Sequence, residues 1–277
     1  MVAPLPPPPA KNSAWAQLRR ELKKPRAPNK RIAYPPMRNF VLDLMAEGRR
    51  KNIINLVFAA DISATLARLS AAAEPVSVTS VVSKALLLAL EENPHMHAYR
   101  YGNTELVMFE DIDLSFTVER ELDGALLPLA WISRAANRKT AQQLHQELQA
   151  AKVAPLGEAG MMSALEKRFF QLPQFIRRLV WRYIRNDPYV FKQLAGTVAV
   201  TSMGMFTSGS AVVFPITPMT LTLSIGAIEN RVVAIDGEMV ERAFIHLNLG
   251  ADHDIIDGAP LMRFADVLKK KIEGGAV

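Results

Sequence analysis

The chain has 277 residues, 49% of them hydrophobic and 22% charged, with a formal net charge of +6. That length holds one large domain or two small ones with a sizeable buried core, and the composition is ordinary for a soluble protein. Cysteine is absent, which excludes a thiol nucleophile, an iron–sulfur cluster, a thiolate zinc site and any disulfide framework.

The N-terminus, MVAPLPPPPAKNSAW, lacks the continuous apolar stretch of a signal peptide. No apolar run reaches the roughly 18–20 residues needed to span a bilayer. A cytoplasmic location is therefore expected. Residues 1–30 read as a Pro-rich, then basic, arm in which PLPPPP favours extended polyproline II and AWAQLRRELKK a short helix. Residues 31–277 alternate elements as one α/β domain. Ile53–Ala60 predicts a strand, and Asp61–Leu69 a helix with Ile62, Leu66 and Leu69 on one face. Val76–Glu92 predicts a second helix, stopped by Asn93-Pro94. Tyr99–Tyr101 and Glu105–Phe109, joined through Gly102-Asn103, predict a hairpin.

Further strands are expected over Ile112–Val118 and Ala125–Ile132 around an Asp123-Gly124 turn, followed by an amphipathic helix over Lys139–Lys152. Ser163–Gln193 is basic and aromatic at helical spacing, broken at Pro173 and at Asp187-Pro188. Strands resume at Thr197–Thr201, Met219–Ile228, Val232–Ile235, Met239–Val240 and Ala243–Leu249, with a hairpin turn at Asp236-Gly237. Pro260 suits the first position of a closing helix that buries Leu261, Phe264, Leu268 and Ile272. The hairpins argue for a mixed, mostly antiparallel sheet.

Ahead of that closing helix stands His253-x-x-x-Asp257-Gly258. A histidine at a strand end, with an Asp-Gly turn behind it, can hold an imidazole in a cleft, and imidazole is the side chain best placed to move protons near neutral pH. His95, His145 and His246 read as surface or packing residues. No His/Asp/Glu cluster has metal-ligand spacing, no Gly-rich phosphate loop is present, and the basic stretches match no nucleic-acid module.

GTVAVTSMGMF (196–206), SIGAIENRVV (224–233) and DHDIIDGAPLMRF (252–264), in that order and spacing, resemble the catalytic domain of the 2-oxo acid dehydrogenase acyltransferases, the dihydrolipoamide acyltransferase components. VVSKALLLALEENPHMHA (81–98), residues 111–128 and the Arg138-Lys139 helix follow the same order. The resemblance covers residues 31–273 except about 160–193, which reads as a basic aromatic helical insert: a lid, an acyl-chain pocket, a membrane-surface helix, or plain packing. It implies a chloramphenicol acetyltransferase-like two-layer α/β sandwich and acyl transfer between coenzyme A and a thiol or hydroxyl acceptor. It also implies a homotrimer with sites between subunits.

In that scheme His253 is the general base, and Thr201, where the family has serine, supplies the hydroxyl that stabilises the oxyanion. Asp257 pairs with Arg38 of Met37-Arg38-Asn39-Phe40 and, with Gly258, holds the catalytic loop. Breaking such a buried pair would cost about 3–5 kcal/mol. Ser202, Gly204, His97 and Asp254 are weaker candidates for substrate contact; His97 stands where the family has asparagine and Asp254 where it has arginine. The substrates implied are acyl-CoA and an acceptor, among them a lipoyl or carrier protein, without metal and without covalently bound lipoate. The 30-residue arm is too short for a lipoyl or subunit-binding domain, and the C-terminus lacks the apolar tail that joins trimers into larger cores. The rival readings are a non-catalytic trimeric scaffold and a membrane-surface acyltransferase acting on lipid or carrier-bound chains.

Overall fold

The computed structural model describes Trp15, Leu18, Glu21, Leu22, and residues 28–30, 38–122, 125–154, 168–204 and 209–275. Two compact units are present, Met1–Tyr34 and Pro35–Val277. In the first, Trp15, Leu18, Glu21 and Leu22 are helical, while the PLPPPP stretch lies outside the described residues. The Asp123-Gly124 turn and residues 163–167 also lie outside them.

The second unit runs α1 (Arg38–Gly48), β1 (Ile53–Asp61), α2 (Ser63–Ala71), α3 (Val78–Glu92), β2 (Tyr99–Tyr101), β3 (Glu105–Val107), β4 (Leu114–Leu122) and β5 (Ala125–Ser133). It continues with α4 (Ala141–Val153), α5 (Gln174–Asn186), α6 (Pro188–Ala195), β6 (Val198–Ser202), β7 (Leu221–Ile235), β8 (Glu238–Asp252) and α7 (Gly258–Glu273). Six strands form one sheet in the order β1-β8-β7-β6-β4-β5. Pairs β1/β8, β7/β8 and β4/β5 are antiparallel, while β6 runs parallel to both β4 and β7. The sheet is thus mixed and mostly antiparallel, and β2 and β3 form a separate hairpin.

Side chains alternate across a pleated sheet. Phe116 of β4, Val200 of β6, Leu223 of β7 and Leu247 and Leu249 of β8 face one way and pack into the main core. Leu86 and Leu90 of α3, Leu144 of α4, and Leu261, Phe264, Leu268 and Ile272 of α7 complete that core. These helices hold because their ends are satisfied. Ser77 caps α3 through the Ser80 amide, and Thr140 and Gln143 form a reciprocal capping box on α4. The intervening strand residues, among them Ser115, Ala199, Thr201, Thr222, Ser224 and Asn248, fall on the opposite face.

Several elements differ from the sequence reading. Asp61 ends β1 instead of opening α2, and its carboxylate accepts the Ser63 amide at 2.8 Å. β7 and β8 are continuous 15-residue strands, where the charged residues had suggested four short ones. Those charged residues lie on the arm of the hairpin beyond β1, where exposure alternates along the strand. Pro260 is the third residue of α7, still within the first turn, where a missing N–H costs nothing. The pattern did not mark α1, because its buried residues are Asp43, Glu47 and Gly48 and not apolar ones. Among the described residues no helix is long and apolar enough to cross a membrane.

Candidate active site

β1 and β8 end together, with Ile53 opposite Asp252. Asp252 is buried and takes Lys51 Nζ at 2.5 Å, while its carbonyl accepts the Ile255 and Ile256 amides. The His253 amide donates to Asn52 O at 2.8 Å, and Asn52 Nδ2 donates to Asp254 Oδ1 at 2.9 Å. These bonds staple the loop down on both sides of the histidine. The His253 side chain is 44% exposed, and its Nδ1 lies 3.6 Å from Asp257 Oδ1. That distance is too long for a hydrogen bond, so the contact is electrostatic. Nε2 is left unengaged among the described residues.

Asp257 precedes α7 without a side-chain capping bond and is 83% exposed. Arg38 is exposed at the start of α1, and the structure does not bring the two together within one protomer. The stability cost expected for a buried Arg38–Asp257 pair therefore does not attach to Asp257 as placed. Among the described residues a buried arginine–aspartate pair is instead Arg177–Asp43, at 2.6 and 3.2 Å, joining α5 to α1. Gly258 opens α7 with free space where a side chain would stand.

Thr201, the penultimate residue of β6, sits opposite Ser224 of β7 and is nearly buried. Its hydroxyl makes no hydrogen bond among the described residues, and it borders an apolar cavity of about 410 Å³. Ser202, one residue on, points the other way and accepts the Thr79 hydroxyl at 3.0 Å, tying β6 to α3. Gly204 is constrained by space, since a Cβ there would meet Gly226 O at 2.0 Å. Next to Thr201 in the same row, Ser224 Oγ and Asn248 Oδ1 are buried without partners. Sequence reasoning passed over both; the alternation Leu221-Thr-Leu-Ser-Ile was the available signal, since it places a polar side chain at every second position of a central strand.

Strand register separates the two halves of the expected site. Thr201 is level with Ser224, and Ser224 with Asn248. His253 lies five residues further along β8, roughly 17 Å, and two strands across, roughly 10 Å. Within one protomer the imidazole and the hydroxyl do not meet.

His97 lies in a 3₁₀ turn after α3, is 1% exposed and borders neither of the two cavities near the candidate site. Its Nδ1 has no partner. Burial, aided by the positive charges of Lys192 and His95, pushes its pKa down to about 4. Asp254 borders the second cavity, of about 540 Å³, whose wall also carries the charged Lys51, Arg100 and Arg185. His246 is more than a packing residue: its Nε2 lies 3.0 Å from Glu229 Oε2 and 2.9 Å from an Arg231 nitrogen. Hydrogen bonds from Arg231 and then His246 hold Glu229 below its ordinary carboxyl range. His145 Nδ1 accepts the Ser77 amide at 3.2 Å. Among the described residues no group of three or more His, Cys, Asp or Glu could hold a metal ion.

A sequence model of the family described as "2-oxoacid dehydrogenases acyltransferase (catalytic domain)" matches residues 27–157 and 160–276. The second matched segment spans α5 and α6. The dihydrolipoyllysine-residue acetyltransferase component of the pyruvate dehydrogenase complex of Mycoplasma genitalium is 26% identical over 193 residues, covering 69% of this chain and 41% of the relative. The succinyltransferase component of the 2-oxoglutarate dehydrogenase complex of Buchnera aphidicola is 24% identical over 192 residues, covering 69% and 37%. The chain thus spans about two fifths of the length of these relatives. The solved dihydrolipoamide acetyltransferase of Azotobacter vinelandii superposes with a TM-score of 0.67 at 17% identity, over 100% of both chains.

Proposed function

Because the chain belongs to the 2-oxoacid dehydrogenase acyltransferase (catalytic domain) family, we propose that it transfers an acyl group between coenzyme A and an acceptor thiol, with dihydrolipoamide as the model acceptor. His253 and Thr201 act from neighbouring subunits of a homotrimer. His253 Nε2 removes the acceptor S–H proton. Asp257, beside Nδ1, favours the tautomer that leaves Nε2 with its lone pair. The thiolate adds to the thioester carbonyl carbon, and the Thr201 hydroxyl donates to the oxygen as it becomes negative. Collapse of the tetrahedral intermediate re-forms the carbonyl and breaks the bond to the CoA sulfur, which leaves as thiolate and takes the proton from the His253 imidazolium.

The observation that carries this reading is the unpartnered Thr201 hydroxyl on a nearly buried strand end, beside a cavity. Support comes from the Azotobacter enzyme, where a serine, a histidine and an asparagine are studied for roles in the catalytic mechanism. They stand at the same separations as Thr201, His253 and Asp257 here. Threonine keeps the serine donor, and aspartate stands where that enzyme has asparagine. The separation of Thr201 from His253 within one chain is what calls for a neighbouring subunit.

The test is release of CoA thiol from a panel of acyl-CoAs with dihydrolipoamide. His253→Ala should lower kcat by about 10²–10⁴-fold and Thr201→Val by about 10²–10³-fold, while Thr201→Ser retains activity. If His253→Ala turns over like the parent, His253 is not the general base; if no donor is used at all, the chain is a scaffold of this fold.

A further inference from the structure

We propose that the apolar cavity beside Thr201 is the acyl-group pocket and that it selects apolar acyl groups larger than acetyl. This rests on the acyl-transfer reading above and names the substrate class for the same site. The floor of the cavity is the sheet face opposite the main core, where Ala199 and Thr201 point the same way from β6. Its roof comes from Trp181 and Ile184 of α5 and Phe191 of α6, with α1 closing one side.

Three properties identify the occupant. The volume, about 410 Å³, is on the scale of sites for whole small molecules, and the three heavy atoms of an acetyl group would leave most of it empty. Among the described residues that line it none is ionisable, so a succinyl carboxylate placed there would be buried without a partner, which is strongly unfavourable. Thr201 is also one of its lining residues. With the thioester oxygen at that hydroxyl, the carbon chain on the same carbonyl carbon lies beside the cavity. Relatives named for acetyl and for succinyl transfer therefore differ from this chain in the group their names assign.

The cavity bordered by Asp254 is a separate space. Trp181, Phe191 and Pro218 line both and form the partition between them. A chain entering beside Thr201 is thus kept from the charged groups Lys51, Arg100 and Arg185 by apolar side chains.

The experiment is a donor series of acetyl-, butyryl-, hexanoyl-, octanoyl- and succinyl-CoA with dihydrolipoamide, read as kcat/KM. The expected result is a rise of up to about fourfold per added methylene until the cavity is full, with succinyl-CoA below butyryl-CoA. Ala199→Phe fills the floor and should reverse the ratio of octanoyl to acetyl turnover. Ala195→Phe, on α6, fills the roof and replaces it should the strand variant fail to fold. Transfer that is fastest with acetyl- or succinyl-CoA overturns the inference and leaves acyl transfer standing. A preference for long chains that survives both filling variants also overturns it. Absence of transfer from every donor instead removes the acyl-transfer reading itself.

Discussion

At the scale of single residues, chemistry is divided between groups held for reaction and groups held for stability. His253 is proposed for the first set: its backbone is fixed by Asn52 and its ring is half exposed. His97 belongs to the second. Its folded pKa of about 4 lies below the ordinary value of 6.5. Between those two pH values the unfolded chain binds a proton that the folded chain refuses. Stability is therefore full above about pH 6.5 and falls as the pH drops towards 4, by about 3 kcal/mol in all. Asp113 adds a second loss at lower pH. Burial works against its charge, but hydrogen bonds from Lys192, the Ala135 amide and Arg134 hold its carboxyl below the ordinary value. Urea denaturation at pH 7 and pH 5 should show the first loss in the parent and a much flatter profile in His97→Gln. Equal pH slopes in the two proteins would assign the acid sensitivity elsewhere.

At the scale of elements, α5 explains why a basic aromatic stretch folds against this domain. Arg177, Trp181 and Ile184 turn inward at helical spacing, and Phe175, Leu179 and Tyr183 turn outward. The inward face carries an arginine because α1 presents Asp43 to it, and Arg177 Nη1 also donates to Leu172 O. Removing one partner strands the other charge in a nearly buried place. Arg177→Ala should therefore destabilise the protein by about 3–5 kcal/mol, read from the denaturation midpoint. A double change, Arg177→Met with Asp43→Leu, should recover most of that loss, because it leaves no unpaired charge. The single variant should also weaken turnover of long-chain donors, since Trp181 and Ile184 roof the cavity from the same helix. A single variant as stable as the parent would show that the pair contributes nothing.

At the scale of the whole molecule, register sets the assembly argument. Thr201 and His253 are on opposite sides of a distance that neither side chain can span, so a site using both needs two chains. Co-expression of His253→Ala with Thr201→Val makes this measurable. Random mixing leaves about a quarter of the subunit contacts with both intact groups, so activity should return to about that fraction of the parent, although each variant alone is nearly inactive. Light scattering should give three times the chain mass. No recovery in co-expressed protein would place both groups in one chain.

Much of this was legible in the sequence for identifiable reasons. The helix over 78–92 is apolar and opens on a capping serine, the helix over 258–273 is amphipathic, and the 187–188 break carries its own capping aspartate. Gly204 was legible as a motif glycine, and the structure supplies the reason in the approach of Gly226. Local rules failed where partners are distant. α1 hides a buried face of acidic residues, and Asp43 and Glu47 each take an arginine more than 130 positions away, while Arg38, matched to Asp257 by motif, makes no ion pair with it within one chain.

The sequence by itself determined the family, the mixed α/β class and the two residues on which acyl transfer is proposed to rest, because motifs and side-chain periodicity are local and survive without coordinates. Only the tertiary structure decided that those residues cannot meet in one chain and that Asp257 stands in solvent beside His253. It alone revealed the apolar cavity that Thr201 helps to line. These are statements about distance and enclosure, and both arise when strands far apart in sequence come into register and helices from another part of the chain close over them.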